Sequence, residues 1–141
     1  MDSASMKVVV GRYYEELWSQ GRLEFVDEHM APDYENHDPA TPGAVLTGRD
    51  AFRALVVTYR EAFPDLRFEI VEQHADGDTV VSRWFASGTH RGALMGIPPT
   101  GKRAPAVEGI TLTTFAGGKI VRDRVVWDTL GLLRGLGAIP G

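Results

Sequence analysis

Residues 66–90 read LRFEIVEQHADGDTVVSRWFASGTH, and this stretch decides the fold. Apolar and polar side chains alternate through most of it, the period of a strand with one face buried. Asp76-Gly77 interrupts the alternation, and this dipeptide accepts the positive φ angles of a two-residue hairpin turn. Strands over 66–75 and 78–90 follow. Downstream, RGALMGIPPTGKRA (91–104) reads as a loop rich in Gly and Pro. Strands over 105–115 and 119–127 come next, joined by Gly117-Gly118. The pattern predicts a four-strand antiparallel meander.

Upstream the period is helical. Met6, Val10, Tyr13, Tyr14 and Leu17 form one apolar stripe with Trp18 at its edge, predicting a helix over 5–20. Ser3 or Ser5 can cap it and Gly21 can end it. A short helix over 22–30 carries Leu23, Val26 and Met30. DYENHD (33–38) reads as a short strand or turn, and the chain to Gly48 as a loop. Thr47 opens a third helix with Phe52, Leu55, Val56, Tyr59 and Phe63 on one face, and Pro64 stops it. A last short helix covers 129–136. Helices first, then strands, then one helix predict an α+β domain with helices on one face of a curved sheet. Such a sheet closed by helices makes a cone whose mouth holds small ligands.

Composition narrows the function. The chain has 141 residues, enough for a single domain with its own core. Its 43% hydrophobic and 24% charged residues are those of a folded protein. Cysteine is absent, which excludes disulfides, thiolate metal sites and a cysteine nucleophile. The net charge is −4 without a basic patch, which argues against nucleic acid. No apolar run approaches the roughly 20 residues that span a bilayer. The N-terminus lacks the apolar stretch of a signal peptide, and a cytoplasmic protein is expected.

On the last strand, Val121, Asp123, Val125 and Trp127 share one face, and Arg122 and Arg124 the other. If the apolar face points inward, Asp123 is an acid among apolar neighbours, with a raised pKa and the makings of a proton shuttle. The competing reading pairs it with an arginine near an exposed strand end. A β-bulge would shift the parity to Arg124 and Val126. Asp128 is the second carboxylate, a catalytic acid or a cap for the last helix. His37 and His90 can act as acid or base near neutral pH, or satisfy a backbone carbonyl. His29 and His74 read as surface residues. No HxH or HExxH spacing exists, so no metal site is expected. In VVSRWFASGTH, Arg83 and Trp84 lie on opposite faces. An inward Arg83 would anchor an oxyanion, whereas the parity of His90 favours Trp84 inside. Trp18, Phe52, Leu55, Phe63, Trp84, Met95 and Trp127 are candidates for an apolar wall, with plain core packing the rival for Phe52 and Phe63. No phosphate-binding GxxxxGK[ST] or GxGxxG spacing and no GxSxG elbow occurs.

The segments LWSQGR (17–22), APDYENHDP (31–39), TGRDAF (47–52), AFPDL (62–66), GTHRGALMGIPPTGK (88–102), GGKI (117–120) and WDTLGLLRGLG (127–137) together resemble the SnoaL-like polyketide cyclases of the NTF2-like, ketosteroid isomerase-like superfamily. The resemblance covers nearly the whole chain. It implies an NTF2-like cone and action on a hydrophobic aromatic-polyketide ketone or ester in antibiotic biosynthesis, without metal or cofactor. The implied reaction is an intramolecular aldol condensation in which a carboxylate removes a proton α to a carbonyl. Trp18 and Leu55 match positions that touch substrate in the family cyclases. Counting from Gly118-Lys119, the cyclases' acid/base aspartate falls at Val125 and its companion histidine at Thr111, so the chain departs from the family at both. Proteins of the same fold include ring hydroxylases, epoxide-opening enzymes and non-catalytic binding modules, and these stand as alternatives. The resemblance further implies a homodimer through the outer face of the sheet, where Arg122 and Arg124 must be accommodated.

Overall fold

The computed structural model describes residues 1–140. Helix α1 (Ser3–Arg12) is capped by Asp2, not by a serine: its carboxylate accepts the Ser5 backbone N–H at 2.7 Å. The helix runs on into a π-helical segment, Tyr13–Ser19, where the single regular helix expected to residue 20 gives way to wider i→i+5 bonding. Four of its seven residues, Tyr13, Tyr14, Leu17 and Trp18, are buried. Gly21 ends it at φ +74°, and a Cβ there would meet the Arg60 guanidinium at 2.6 Å. Arg60 uses that space to donate from Nη1 to the Trp18 and Ser19 carbonyls, at 2.8 and 3.0 Å. These carbonyls are orphans of the helix end.

Helix α2 (Glu24–His29) leads directly into strand β1 (Met30–His37), which is longer than the short strand or turn expected there. Strand β2 (Val45–Thr47) returns antiparallel to it, so Thr47 pairs with Glu35 and does not open the next helix. Helix α3 (Arg49–Ala62) begins at Gly48 and buries Phe52 and Val56. Its Arg49 donates to the Met30 carbonyl at 2.6 and 3.0 Å, tying α3 to the start of β1.

Strands β3 (Arg67–Asp76), β4 (Thr79–Thr89), β5 (Arg103–Ala116) and β6 (Lys119–Trp127) form the expected antiparallel meander, followed by helix α4 (Thr129–Gly135). The sheet is larger than that meander. Its order is β2-β1-β6-β5-β4-β3, with β1 parallel to β6. The purely antiparallel sheet is therefore corrected to a six-stranded mixed one. Parallel neighbours need a long crossover, and here α3 and the four strands β2 to β5 supply it. Register shifts between Ala86 and Gly88, and between Thr114 and Phe115, bend the sheet over the helices. The architecture is α+β: helices inside the concave face of a curved, unclosed sheet.

Candidate active site

A cleft opens between the helices and the concave face and holds about 770 Å³ of space, part of it open to solvent at the mouth. Tyr13, Tyr14 and Trp18 come from the π-helical segment; Leu55, Tyr59 and Phe63 come from α3 and its end. Trp84, Val107, Val125 and Trp127 face them from the sheet. The wall is mainly apolar. Its polar groups are the side chains of Asn36, Asp38 and Ser87 and three tyrosines.

Trp84 lies flat against Gly109, its direct partner on β5, and a Cβ at that position would sit 2.2 Å from the ring. Its Nε1–H donates to Thr111 Oγ1 at 2.9 Å, and the Tyr14 hydroxyl donates to the same oxygen at 2.5 Å. Both lone pairs of Thr111 are thereby engaged. Thr111 stands opposite Val125 in the β5–β6 ladder. At the two positions where the resemblance implies a departure from the cyclase pattern, the structure places a hydroxyl with both acceptor sites filled and an apolar wall residue.

Asp123 is fully buried yet does not line the cleft. Tyr34 donates its hydroxyl to Asp123 Oδ2 and Thr113 donates to Oδ1, both at 2.6 Å. Burial pushes the carboxyl's pKa above the ordinary aspartate value, while hydrogen bonds from Thr113, Tyr34 and Tyr13 oppose the rise. Asn36 in turn donates from Nδ2 to the Tyr34 hydroxyl at 3.0 Å. Its Oδ1 is buried without a partner.

Asp38 is the single carboxylate in the cleft wall among the described residues. It is 8% exposed. Oδ1 accepts the Ala40 backbone N–H at 2.8 Å, and Oδ2 accepts the Trp127 indole N–H at 3.0 Å. These two donors fix the carboxylate plane and leave other lone pairs free. Burial, assisted by the Asp38 charge, raises the Tyr59 pKa and keeps that phenol protonated. Tyr13 and Tyr14 are likewise held well above the usual range, chiefly by burial and next by the Asp123 charge.

Trp18, Leu55, Phe63, Trp84 and Trp127 line the cleft. Phe52 does not: it is fully buried behind the wall, 4.8 Å from the Tyr34 ring and stacked 6.2 Å from Tyr13. Arg83 points outward, bridging Glu72 and Glu108 at 2.7 Å each, because Trp84 takes the inner face. Met95 is an exposed loop residue at φ 52°. His37 pairs with Glu35 at 3.0 Å on the face opposite Asn36. His90 is buried outside the cleft wall, against the Phe63 ring at 5.5 Å. Its Nδ1 accepts the Thr100 N–H at 3.2 Å, so His90 holds the following loop. Asp128 is the exposed cap of α4, accepting the Gly131 N–H at 2.8 Å. On β6 the inward parity holds from Asp123 to Trp127, but the irregularity near Val121 turns Ile120 inward as well. Asn36, Asp38, Tyr34 and Tyr59 were not singled out from the sequence. The signal was present: Tyr34, Asn36 and Asp38 alternate with Glu35 and His37.

A helix-lined α+β cone with an apolar cleft is the architecture of the NTF2-like proteins, and solved structures agree. TsrD from Streptomyces laurentii superposes with a TM-score of 0.87 at 27% identity, covering 99% of both chains. AclR of Streptomyces galilaeus, a protein named as a hydroxylase, gives 0.85 at 27% identity, covering 99% of this chain and 85% of its own. Within that class, the chain belongs to the SnoaL-like polyketide cyclase family, whose model matches residues 8–136. Nogalonic acid methyl ester cyclase of Streptomyces nogalater is 39% identical over 123 residues, 85% of this chain and 89% of the relative. Aklanonic acid methyl ester cyclase DnrD of Streptomyces peucetius is 33% identical over 135 residues, 94% and 92% of the two chains.

Proposed function

We propose that the protein is an enzyme that closes a ring on a hydrophobic polyketide ketone or ester by acid/base chemistry, with Asp38 as the group that moves the proton. One observation carries this reading: Asp38 is the carboxylate of an otherwise mainly apolar cleft, held in one orientation by Ala40 and Trp127. In the proposed step Asp38 takes a proton from carbon α to a carbonyl. The resulting enolate carbon attacks a second carbonyl of the same molecule, forming a C–C bond while the C=O π pair moves to oxygen. The alkoxide then recovers the proton from Asp38. The sum is an isomerisation, with nothing oxidised or reduced. Tyr59, kept protonated beside Asp38, donates to oxygen as charge develops there.

Nogalonic and aklanonic acid methyl esters, the compounds in the relatives' names, are the first substrates to try. Asp38→Asn keeps the shape of the wall and removes the base, so turnover falls by about a hundredfold or more while an apolar probe still binds. Near-parent turnover would overturn the assignment. Val125 favours a second reading, since an apolar side chain there deprives a cyclase of its usual acid. That reading is ring hydroxylation with dioxygen and a reductase partner. Oxygen-18 from labelled dioxygen in the product selects it, and an unlabelled ring-closed product selects the aldol.

The same proposal includes a cytoplasmic setting and a second copy of the chain over the outer sheet face. Ile110, Leu112 and Val126 lie exposed there beside Arg124. Sedimentation at twice 15.5 kDa supports the dimer, and a monomer at micromolar concentration removes it.

A further inference from the structure

Asn36 lines the cleft and is 3% exposed, with one polar atom, Oδ1, lacking any partner. A buried unpaired carbonyl oxygen costs about 1–3 kcal/mol, so an arrangement that keeps one has a use for it. The neighbouring bonds say which end of the amide is committed to Tyr34 and which is left without a partner. Tyr34 has one hydroxyl proton, and it goes to Asp123 Oδ2 at 2.6 Å. Its oxygen can then only accept, and the donor it accepts from is Asn36 Nδ2 at 3.0 Å. Tyr34 lies behind the wall. With Nδ2 turned back toward it, Oδ1 is left on the other side of the amide.

We propose that Asn36 Oδ1 is a hydrogen-bond-accepting subsite for a hydroxyl group of an aromatic ligand, and that Asp123 sets its polarity through Tyr34. This deepens the proposed function by naming a feature of its substrate: a phenolic or enolic O–H placed against β1. Asp123 is a positioning residue here, since it bonds to Tyr34, Thr113 and Tyr13 and does not itself line the cleft. Replacing its carboxylate with an amide introduces a donor. The chain can then reverse, with residue 123 donating to Tyr34, Tyr34 donating to Asn36 Oδ1, and Nδ2–H facing the cleft.

The test uses two inert aromatic probes of the same size, 1-naphthol and 1-methylnaphthalene, and reads the ratio of their affinities. Binding is followed by quenching of the cleft tryptophans, with circular dichroism confirming the fold of each variant. The parent protein should favour the naphthol, and Asn36→Leu should lower the ratio about tenfold, the scale of one buried hydrogen bond. Asp123→Asn and Tyr34→Phe should lower it likewise, although both keep Asn36. Thr113→Val removes a different side-chain donor to Asp123 and leaves the Tyr34 bond, so it should keep the parent ratio. A ratio within about twofold of the parent in folded Asn36→Leu would overturn the subsite. A parent ratio in folded Asp123→Asn or Tyr34→Phe would overturn the control of its polarity, as would a lost preference in Thr113→Val. Asp38→Asn should lose turnover with an unchanged ratio, so failure of the reaction and failure of the subsite are read separately.

Discussion

Gly109→Ala is the smallest change that should disturb the cleft wall. A Cβ at residue 109 would lie 2.2 Å from Trp84 Cζ2, 2.3 Å from Cη2 and 2.7 Å from Cε2. Carbon atoms attract best at about 3.5–4.0 Å, so the ring must retreat by more than about 1 Å. It has little freedom to do so. Nε1 is bonded to Thr111 at 2.9 Å, and the Phe68 ring lies 4.8 Å from it, centre to centre. Overpacking costs about 1–3 kcal/mol. Losing the buried indole bond adds about 1–3 kcal/mol. Together that is about 2–6 kcal/mol. A chain of 141 residues unfolds with an entropy of about 0.3 kcal/mol/K, so Tm should drop by about 7–20 °C. Thermal unfolding followed by circular dichroism gives Tm, and the near-ultraviolet tryptophan bands report the ring. Gly11→Ala is the control: a Cβ there meets nothing within 4 Å on α1, and the change should stabilise by about 0.5–1 kcal/mol. A Gly109→Ala protein with Tm within about 2 °C of the parent and unchanged near-ultraviolet bands would refute the account of how Trp84 is held.

Asp123 should leave a signature in stability against pH. Its folded pKa lies above the ordinary 3.8, so the folded state binds the proton more tightly than the unfolded chain does. Stability from this group is fully present below the unfolded pKa and is lost as pH rises through the folded one. Asp123→Asn removes that titration, so urea unfolding should show the variant gaining on the parent as pH rises through that window. A constant difference across the window refutes the raised pKa. Asp128→Ala should cost about 1 kcal/mol of stability through the lost cap and leave turnover intact. A tenfold or greater fall in turnover in the folded variant would return Asp128 to the chemistry.

The meander was legible because its cues are local. Alternation, Asp76-Gly77 and Gly117-Gly118 lie inside the segments they organise, and Trp84, Val125 and Trp127 face inward as their period requires. The helices α1 and α3 were equally plain from their apolar stripes. The pairing of β1 with β6 was not, since Asn36 and Asp123 are 87 positions apart and meet only after the whole sheet has formed. Nor could helical spacing decide between Phe52 and Leu55, which share one apolar face of α3. Phe52 points at Tyr34 and is sealed, whereas Leu55 looks into the cleft. That distinction depends on how α3 is seated by Arg49 and Arg60, whose partners are backbone carbonyls and carry no side-chain signature.

The strand that hid best is the one that carries the polar groups of the site, and the two facts have one cause. A strand is recognised when its inward positions are apolar. On β1 and just beyond it, Tyr34, Asn36 and Asp38 point inward, while the outward Glu35 and His37 pair with each other. Both faces are therefore polar, and alternation in hydrophobicity vanishes even though alternation in direction persists. Inward polar groups need partners, and each finds one nearby: Tyr34 on Asp123 and Asp38 on Trp127 of the neighbouring strand, Asn36 on Tyr34 two residues back. Two of those partners stand on β6, so the parallel seam between β1 and β6 joins the sealed carboxylate to the one that faces the cleft. Asp123 does not itself line the cleft and acts through its neighbours, Tyr34 with Asn36 and the wall residue Tyr13. Asp38 touches the cleft directly and can exchange a proton there. The division of labour between the two acids thus follows from the register of one strand pair.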